Sequence, residues 1–400
     1  MKKLLYISLI AALVGTFSSC RDQDEVYKQW VVPGGHVYPE KANGLNAKLG
    51  VARIQMKWAA PKDPSVSKAV ITWENGDKST ELNYADFAGQ DSVMVEIDQL
   101  REQSYTFTVV NYDAEGNVSM KSEFTASPYG TVWLSTHAER MINSAEVTSG
   151  TDATLSIGFG TTDMVGTKFR YVNNEGEWVE TKPVSVIDNK ATLPNAMVNR
   201  RYEYCSGYCP AEGLDTIWNE WSKGPTPIGG RLQNDGWEVT ATGSNAGREP
   251  AKVLDGLVSD THAYSWQWNN GGKWPVVLQI DMKKDTYVIS RMRVVNFVSS
   301  LSYRRLFNVT YAFGDHEFNL NPGAEYAAPS GSPWPIYNAP TFADAKFIRS
   351  TTFYNGDASH NETGNNTQCR YIACVFHNSR LASQIACQEI ELYGYDANAE

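Results

Sequence analysis

Residues 275–281 read PVVLQID, and this stretch decides the fold of the C-terminal part of the chain. From Val276 to Ile280 every side chain is apolar except Gln279. A strand with one face in water alternates apolar and polar residues, whereas a strand that is covered on both faces is apolar throughout. The stretch therefore predicts a core strand, ending at Asp281, inside a β-sandwich.

Short strands are also predicted throughout the first half of the chain, where helical periodicity is almost absent. Residues 53–58 (RIQMKW) alternate, and residues 69–73 (AVITW) form a β-branched run that ends at the turn pair Asn75-Gly76. Further runs follow at 93–97 and 105–109. Short strands separated by regular turns are typical of sandwich domains, so the fold class is predicted to be all-β.

This strand pattern occurs twice, because Leu193, Tyr202 and Tyr204 echo Leu100, Tyr105 and Phe107. Two sandwich domains are therefore predicted, at 27–127 and 128–224. Residues 225–230 (PTPIGG) are assigned to a linker, because proline and glycine at this density leave no strand ladder to form. We expect this linker to be short and stiff.

The first sandwich resembles a fibronectin type III domain in the stretch from Leu100 to Tyr105, followed by Gly116-Asn117. In such domains a tyrosine near the start of the second-last strand bonds back across a corner, and the resemblance gives this role to Tyr105. The opening residues 27–39 (YKQWVVPGGHVYP) resemble the start of an uncharacterised domain of envelope lipoproteins. That resemblance extends over both sandwiches and implies no known activity.

The N-terminus combines two lysines, an apolar run from Leu4 to Val14, and the small-residue stretch FSSC that ends at Cys20. The run is too short to span a bilayer. The pattern resembles a bacterial lipoprotein signal, with residues 1–19 removed and Cys20 acylated; a plain secretory signal with a chance cysteine is the alternative. Residues 20–26 form a tether whose acidic part resembles the surface-export signals of Bacteroidetes lipoproteins. The expected location is the outer membrane, lipid-anchored and facing the exterior.

The chain is acidic, with a formal net charge of −10 that becomes −10 − 2 = −12 once Lys2 and Lys3 are removed. Nucleic acids and anionic lipid surfaces require clustered Lys and Arg, so neither is an expected partner.

Besides Cys20 the chain has five cysteines, of which Cys205 and Cys209 lie close together. A local disulfide or two buried thiols is favoured there over zinc, which needs two further soft ligands. Cys374 and Cys387 fall on predicted successive strands and are either bonded or merely packed.

The most specific resemblance covers residues 231–396. Its markers, in chain order, are Trp237, the AKVLDG turn of 251–256, the PVVLQID strand of 275–281, the strand 289–294, and the closing strands that begin at Arg370 and Glu389. They resemble a discoidin domain, also called coagulation factor 5/8 type C, which is similar to family 32 carbohydrate-binding modules. The resemblance implies a jelly-roll β-sandwich after the two fibronectin-like sandwiches.

This resemblance also implies a structural Ca²⁺ in the loop after the Asp-Gly turn. Calcium binds six or more oxygens, mostly from carboxylates and carbonyls. The implied ligands are Asp255, Asp260 and Thr261 from the loop and Glu389 from the last strand. The alternative is that Asp255 caps a turn and Glu389 is satisfied by backbone amides.

Glycan binding is the most frequent task of such modules on bacterial surfaces. An aromatic face can cover the C–H face of a sugar while fixed polar groups orient its hydroxyls. The predicted ligand-binding residues are Trp334, Tyr264, Trp266, Trp268, Arg304, Arg305, Tyr354 and Asn355, with Trp274, Tyr337 and His360 as further candidates. Trp334, between two prolines, is expected to be the exposed platform, whereas a place in the core is the alternative for each tryptophan. The Trp-His pair of many sugar-binding members is replaced here by Tyr264-Ser265.

No HExxH, GxSxG or P-loop motif occurs in the sequence, and the six histidines lack metal-ligand spacing. The predicted function is therefore a non-catalytic surface lipoprotein that binds a neutral glycan. It would act as an accessory to polysaccharide capture beside an outer-membrane importer. Two alternatives stay open: an adhesin that binds a protein, and a glycoside hydrolase whose paired carboxylates meet only in space.

Overall fold

The computed structural model describes residues 35, 38–259, 262–271, 274–296, 306, 308–318, 344–353, 358–379 and 383–400. These residues form three β-sandwiches, which confirms the predicted all-β fold class. Among the described residues, no helix combines the length and the apolar character that crossing a membrane requires. Cys20 and the signal lie outside the described residues.

The first compact unit contains the described part of Met1–Thr136 together with Pro210–Asp215. It is a sandwich of a three-stranded and a four-stranded antiparallel sheet. The strands are β1 (Asn43–Gly50), β2 (Arg53–Ala59), β3 (Val66–Trp73), β4 (Lys78–Asn83), β5 (Ser92–Ile97), β6 (Tyr105–Asp113) and β7 (Ser122–Ala126), ordered β1-β2-β5 and β4-β3-β6-β7, and a short helix α1 (Thr131–Leu134) follows.

The sequence patterns of this unit have direct structural counterparts. Alternation in β2 buries Ile54, Met56 and Trp58 in the core. Asn75 and Gly76, with φ of 55° and 95°, turn β3 into β4. The Arg101 N–H donates to the Tyr105 hydroxyl at 2.9 Å, which confirms the predicted tyrosine corner.

The second compact unit contains His137–Cys209 and Thr216–Glu400. Its first part is a sandwich of the sheet β12-β9-β8 and a sheet ordered β11-β10-β13-β14, with β15 also on β13. The strands are β8 (Ile142–Glu146), β9 (Ala153–Ile157), β10 (Met164–Val172), β11 (Trp178–Glu180), β12 (Lys190–Leu193), β13 (Glu203–Tyr208), β14 (Ile217–Trp218) and β15 (Ser222–Lys223). We call this part the middle sandwich.

The rest of the second unit is the C-terminal sandwich, with two five-stranded antiparallel sheets. One sheet has the order β16-β25-β20-β23 with β18 also on β25, and the other has the order β17-β19-β24-β21-β22. The strands are β16 (Gly230–Arg231), β17 (Glu238–Ala241), β18 (Trp266–Asn269), β19 (Val276–Asp281), β20 (Tyr287–Asn296), β21 (Asn308–Gly314), β22 (Phe347–Thr352), β23 (Ser359–Cys369), β24 (Tyr371–Phe376) and β25 (Gln384–Asp396).

The stretch 275–281 supplies β19, which lies between β17 and β24. Leu278 and Ile280 enter the main core, while Val277 packs in a smaller apolar cluster with Phe318. Gln279, on the same outer side as Val277, accepts the Phe318 N–H at 2.7 Å. Both faces of the strand are therefore covered, as the continuous apolar pattern predicts.

The linker between the middle and C-terminal sandwiches is built into both. Ile228 is fully buried in the core of the middle sandwich. Gly229 donates to Ala145 O and accepts from Val147 N, each at 2.8 Å, and the next residues pair with β25 as β16. The expectation that no ladder forms here is wrong for residues 229 and 230, because glycine, unlike proline, keeps its N–H donor.

The five cysteines after Cys20 form no disulfide within the described residues; four of them are buried and Cys209 is half-buried. Of the two possibilities for Cys205 and Cys209, the structure shows thiols rather than a disulfide. Cys374 on β24 and Cys387 on β25 are packed in the core and are not bonded. Burial raises the pKa of both thiols, so they stay protonated and unreactive.

Candidate functional site

The loops of the C-terminal sandwich leave from two opposite ends. At one end, which we call the Asn296 end, the Asn296 N–H donates to Ala358 O at 2.8 Å, and the Asn296 side chain accepts the Leu306 N–H at 3.0 Å. These bonds hold together the residues that flank segments 297–305 and 354–357. The predicted residues Arg304, Arg305, Tyr354 and Asn355 belong to those segments and lie outside the described residues.

Trp334 and Tyr337 also lie outside the described residues, in a segment that joins β21 to β22. Phe313 pairs with Phe347, and the Arg370 N–H donates to Gly314 O at 3.0 Å. The strands that flank this segment therefore leave the sandwich at the end opposite to the Asn296 end. The described residues that flank Arg304, Arg305, Tyr354 and Asn355 therefore lie at the Asn296 end. Those that flank Trp334 and Tyr337 lie at the opposite end.

Two predicted tryptophans lie on β18 and pack against the core. Trp266 is fully buried, and its indole N–H donates to Gly243 O at 3.1 Å. The prediction that Trp266 binds a ligand is wrong, because β18 pairs with β25 and the neighbouring core covers this side chain. Trp268 is half-buried against the core, with its indole directly over Gly243, where a Cβ would lie 2.3 Å from the ring.

Tyr264 is the predicted aromatic that the structure describes as exposed. It lies in a 3₁₀ turn, His262–Tyr264, just before β18. The residue is 41% exposed, which leaves much of the ring accessible to solvent. A phenol ring of this kind combines an apolar face with a polar tip and suits contact with a sugar.

A polar cluster lies between the edge strands β22 and β23, close to the Asn296 end. His360 Nε2 is 3.1 Å from both Thr351 Oγ1 and Glu362 Oε2, and Arg349 pairs with the other carboxylate oxygen of Glu362 at 2.5 Å. The His360 ring also packs against Phe353, with 5.0 Å between centroids. The sequence indicated His360 but not Arg349 or Glu362, since edge-strand residues of this type are common on any solvated face.

The Asp-Gly turn docks on the last strand, beside the edge of β25 that β16 and β18 leave uncovered between them. The Gly256 N–H donates to Glu389 Oε2 at 3.1 Å, and Arg231 lies 3.3 Å from Glu389 Oε1. Asp255 Oδ1 accepts the Leu257 N–H at 2.9 Å, as a turn cap does. The two predicted calcium ligands that are described therefore lie on either side of Gly256, while Asp260 and Thr261 lie outside the described residues.

Electrostatics at Glu389 depend on its burial, since the residue is 1% exposed. Burial raises the pKa of Glu389 to about 7, although the Gly256 N–H and Arg231 act in the opposite direction. A group of three or more His, Cys, Asp or Glu side chains arranged to hold a metal is absent from the described part of the chain.

An orphaned oxygen lies beside the same loop. The Gln388 side chain is fully buried and donates to Ser259 O, but within the described residues its Oε1 has no hydrogen-bond partner. A buried acceptor of this kind costs about 1–3 kcal/mol unless it is satisfied. Carboxylate, carbonyl and amide oxygens are the types of donor that a hard cation binds. The contacts that the structure gives Asp255 and Glu389, a turn cap and a bond from a backbone amide, are those of the alternative without calcium.

Arg231 is the residue of this region that sequence reasoning missed. Its guanidinium reaches Glu389 and also lies 3.6 Å from Glu391, residues that are about 160 positions away. The only sequence signal is an arginine directly after the glycine pair of the linker, which by itself indicates nothing.

Comparison with known proteins gives one family match and several structural matches. Residues 20–217 match the model of DUF4998, a domain of unknown function. A search of curated proteins found no match.

Several solved structures are similar to the chain at low identity. The lectin domain of lectinolysin complexed with Lewis B antigen is 14% identical, with 39% of this chain and 92% of that chain covered and a TM-score of 0.29. The family 32 carbohydrate-binding module from C. perfringens NanJ in complex with galactose is 10% identical, with coverages of 42% and 99% and a TM-score of 0.30. A fucolectin from striped bass (Morone saxatilis) serum is 12% identical, with coverages of 75% and 85% and a TM-score of 0.34. The first two structures are complexes with Lewis B antigen and with galactose, and TM-scores this low carry no conclusion about the ligand of this chain.

Proposed function

We propose that this protein is a surface lipoprotein that binds a neutral glycan through its C-terminal sandwich and does not cleave it. The lipid on Cys20 would tether it to the outer membrane, where it would assist polysaccharide capture beside an importer. The acidic chain favours a neutral ligand over an anionic one, because like charges repel.

The contact between Gly256 and Glu389 is the observation that carries the proposal. The Asp-Gly turn and the closing strand are two separate markers of the discoidin resemblance, and they meet in space at 3.1 Å. The exposed Tyr264 supplies an aromatic face just before β18, and the His360 cluster supplies fixed polar groups on β23, at the opposite edge of the same sheet. Each offers one of the two elements that sugar recognition needs.

Calcium belongs to the same proposal. Asp255 and Glu389, with the oxygens of Ser259 and Gln388, would hold the ion together with the rest of the loop. When bound, the ion would supply charge that keeps Glu389 ionised and fixes the loop that carries Tyr264.

The described carboxylates give no support to hydrolysis. Glu389 and Glu391 have opposite pKa shifts, as acid and base pairs of hydrolases do, because Arg293 and Tyr393 lower the pKa of Glu391 against the effect of its burial. Their side chains are only 1% and 9% exposed, however, and Arg231 lies against both. A substrate cannot reach the pair, so it serves the structure.

The direct test is binding of the mature protein to a panel of purified neutral polysaccharides, with Tyr264→Ala as the test variant. Trp178→Ala is the matched control, since Trp178 is a 60% exposed aromatic in the middle sandwich. We expect retention on at least one glycan and weaker retention of Tyr264→Ala only. If the protein binds none of the glycans but still binds whole cells, it is an adhesin. If it releases reducing sugar, it is a hydrolase.

A further inference from the structure

A second candidate binding site lies within the second compact unit, between the middle and C-terminal sandwiches. It is a cleft of about 550 Å³, which is the size of pockets that hold small ligands. One wall comes from the loop that contains Thr148 and from Asn174 of the middle sandwich. The other wall comes from Arg231, Tyr287 and Tyr393 of the C-terminal sandwich. We call it the junction cleft.

The walls of the junction cleft are fixed relative to each other. Gly229 bonds to β8 while Gly230 pairs with Gly394 of β25. Behind the cleft, the Asp396 N–H donates to the side chain of Asn199 at 2.6 Å, and Arg201 donates to Ala397 O at 3.1 Å. A preformed cleft of this kind costs little ordering entropy when a ligand binds.

Arg231 gives the cleft hydrogen-bond donors that the protein does not use. Its side chain is 47% exposed, and its ion pairs within the described residues are the 3.3 Å bond to Glu389 and the 3.6 Å approach to Glu391. A guanidinium has five N–H donors, so most of them are available to a ligand with oxygen acceptors.

The two tyrosines give the cleft aromatic surface in a fixed orientation. The Tyr393 hydroxyl donates to Glu391 at 2.9 Å, and the Arg291 guanidinium lies 3.5 Å from the centre of its ring. Tyr287 packs edge-on against Trp237, with 5.5 Å between centroids. Aromatic surface next to amides, hydroxyls and a guanidinium matches a ring that has both C–H faces and hydroxyl groups.

Charge decides which class of sugar fits. Charges of both signs surround the cleft: Arg231, Arg291 and Arg293 on one side of the balance and Glu146, Glu389 and Glu391 on the other, with Arg293 3.0 Å from Glu391. None of the described residues that line the cleft itself is a carboxylate. The cleft is therefore close to neutral, and its electrostatic field favours a neutral ligand over a charged one.

We propose that the junction cleft is a second sugar-binding site, which takes a neutral sugar residue independently of the Tyr264 face. The proposal rests on the proposed function for the class of ligand.

Saturation-transfer NMR on the full mature chain tests this inference, with galactose, glucose, mannose, fucose and N-acetylglucosamine as neutral probes and galacturonate as the acidic probe. Thr148→Trp fills the cleft from an exposed loop position, and Ser149→Trp does the same from the next residue. Thr151→Trp, exposed in the same loop but outside the cleft lining, is the matched control. Unchanged melting temperatures verify that all three fold.

We expect a neutral sugar to bind at the cleft, and the affinity of that site to fall by about tenfold or more in both cleft-filling variants while binding at the Tyr264 face remains. Binding should be unchanged in Thr151→Trp and should persist in part in Tyr264→Ala. Binding that is lost only in Tyr264→Ala would overturn the cleft and leave the proposed function standing. Binding that is lost only in the cleft variants would support the cleft and remove the Tyr264 face. A preference for galacturonate, or no binding of any neutral probe, would overturn the inference.

Discussion

The Gly256 N–H donates to Glu389 Oε2 at 3.1 Å, although the two residues are 133 positions apart in the sequence. This bond places the Asp255 turn against the uncovered edge of β25. Tyr264 follows in the chain just before β18 and is exposed, whereas the carboxylate of Glu389 is buried.

Calcium should stabilise the C-terminal sandwich. A ligand that binds only the folded state adds about 2.7 kcal/mol at one hundred times its Kd, so CaCl₂ should raise the melting temperature above its value in EDTA. The increase should disappear in Glu389→Gln and in the milder, exposed variant Asp255→Asn. Glu238→Gln, a largely exposed carboxylate on β17, should keep it. Equal melting temperatures of the wild type in CaCl₂ and EDTA would refute the calcium site.

Replacing Trp266 should reduce stability, whereas replacing Tyr264 should reduce glycan binding. Because Trp266 fills the core, Trp266→Ala should lower the free energy of unfolding by about 3–5 kcal/mol. Tyr264→Ala removes an exposed ring, so it should change stability by no more than about 0.5 kcal/mol while weakening glycan binding by about 1–3 kcal/mol. Urea unfolding and isothermal calorimetry measure the two effects, and a large loss of stability in Tyr264→Ala would contradict this division.

The linker should be a structural element rather than a spacer. Ile228→Ala removes a fully buried side chain and should cost about 2–5 kcal/mol, whereas Pro225→Ala, at an exposed position of the same linker, should cost little. Calorimetry of the two variants compares them directly. If Ile228→Ala unfolds at the same temperature as the wild type, the linker is not integrated as described.

His377 should contribute a loss of stability to the C-terminal sandwich in mild acid. Burial lowers the pKa of His377 to about 4, from an ordinary value near 6.5. Between these two values the unfolded chain binds a proton that the folded chain does not, so the contribution of His377 to the free energy of unfolding falls as the pH falls from about 6.5 to about 4. Glu389, whose pKa is raised to about 7, contributes with the opposite sign over much of this range, so the test compares the wild type with a His377 variant. The slope is at most about 1.4 kcal/mol for each pH unit.

Urea titrations at pH 7 and pH 5 test this contribution. The loss between the two pH values should be smaller in His377→Gln, which can still bond to Thr310, than in the wild type. His316→Gln, at an exposed histidine, should behave like the wild type. An identical loss in His377→Gln would show that other groups cause the acid sensitivity.

Much of the fold follows from local pattern, because alternation and turn chemistry act over a few residues. The strand at 276–281 and the corner at Tyr105 are examples in which a short stretch contains the whole signal. Trp266 shows the limit of such reasoning. Whether an aromatic residue on a strand faces solvent depends on which element covers it, and the partner of β18 comes from residues 384–387.

The same limit applies to the candidate site. The resemblance assigned Asp255 and Glu389 to one region, and the N–H of Gly256, next to Asp255, bonds to Glu389, because family motifs encode long-range contacts that composition does not. Their role as calcium ligands stays a prediction. Arg231 has no motif, and its partners lie far along the chain. The junction cleft was likewise invisible to sequence, since its two walls come from domains that the sequence pattern treats as separate.

Location of the bound sugar tests the central claim most directly. Crystals of the mature protein would be soaked with an oligosaccharide of the glycan that binds best in the polysaccharide panel. The proposed function predicts sugar density against Tyr264 or at the Asn296 end of the C-terminal sandwich. Density confined to the first sandwich, or a cleaved sugar in any site, would contradict it.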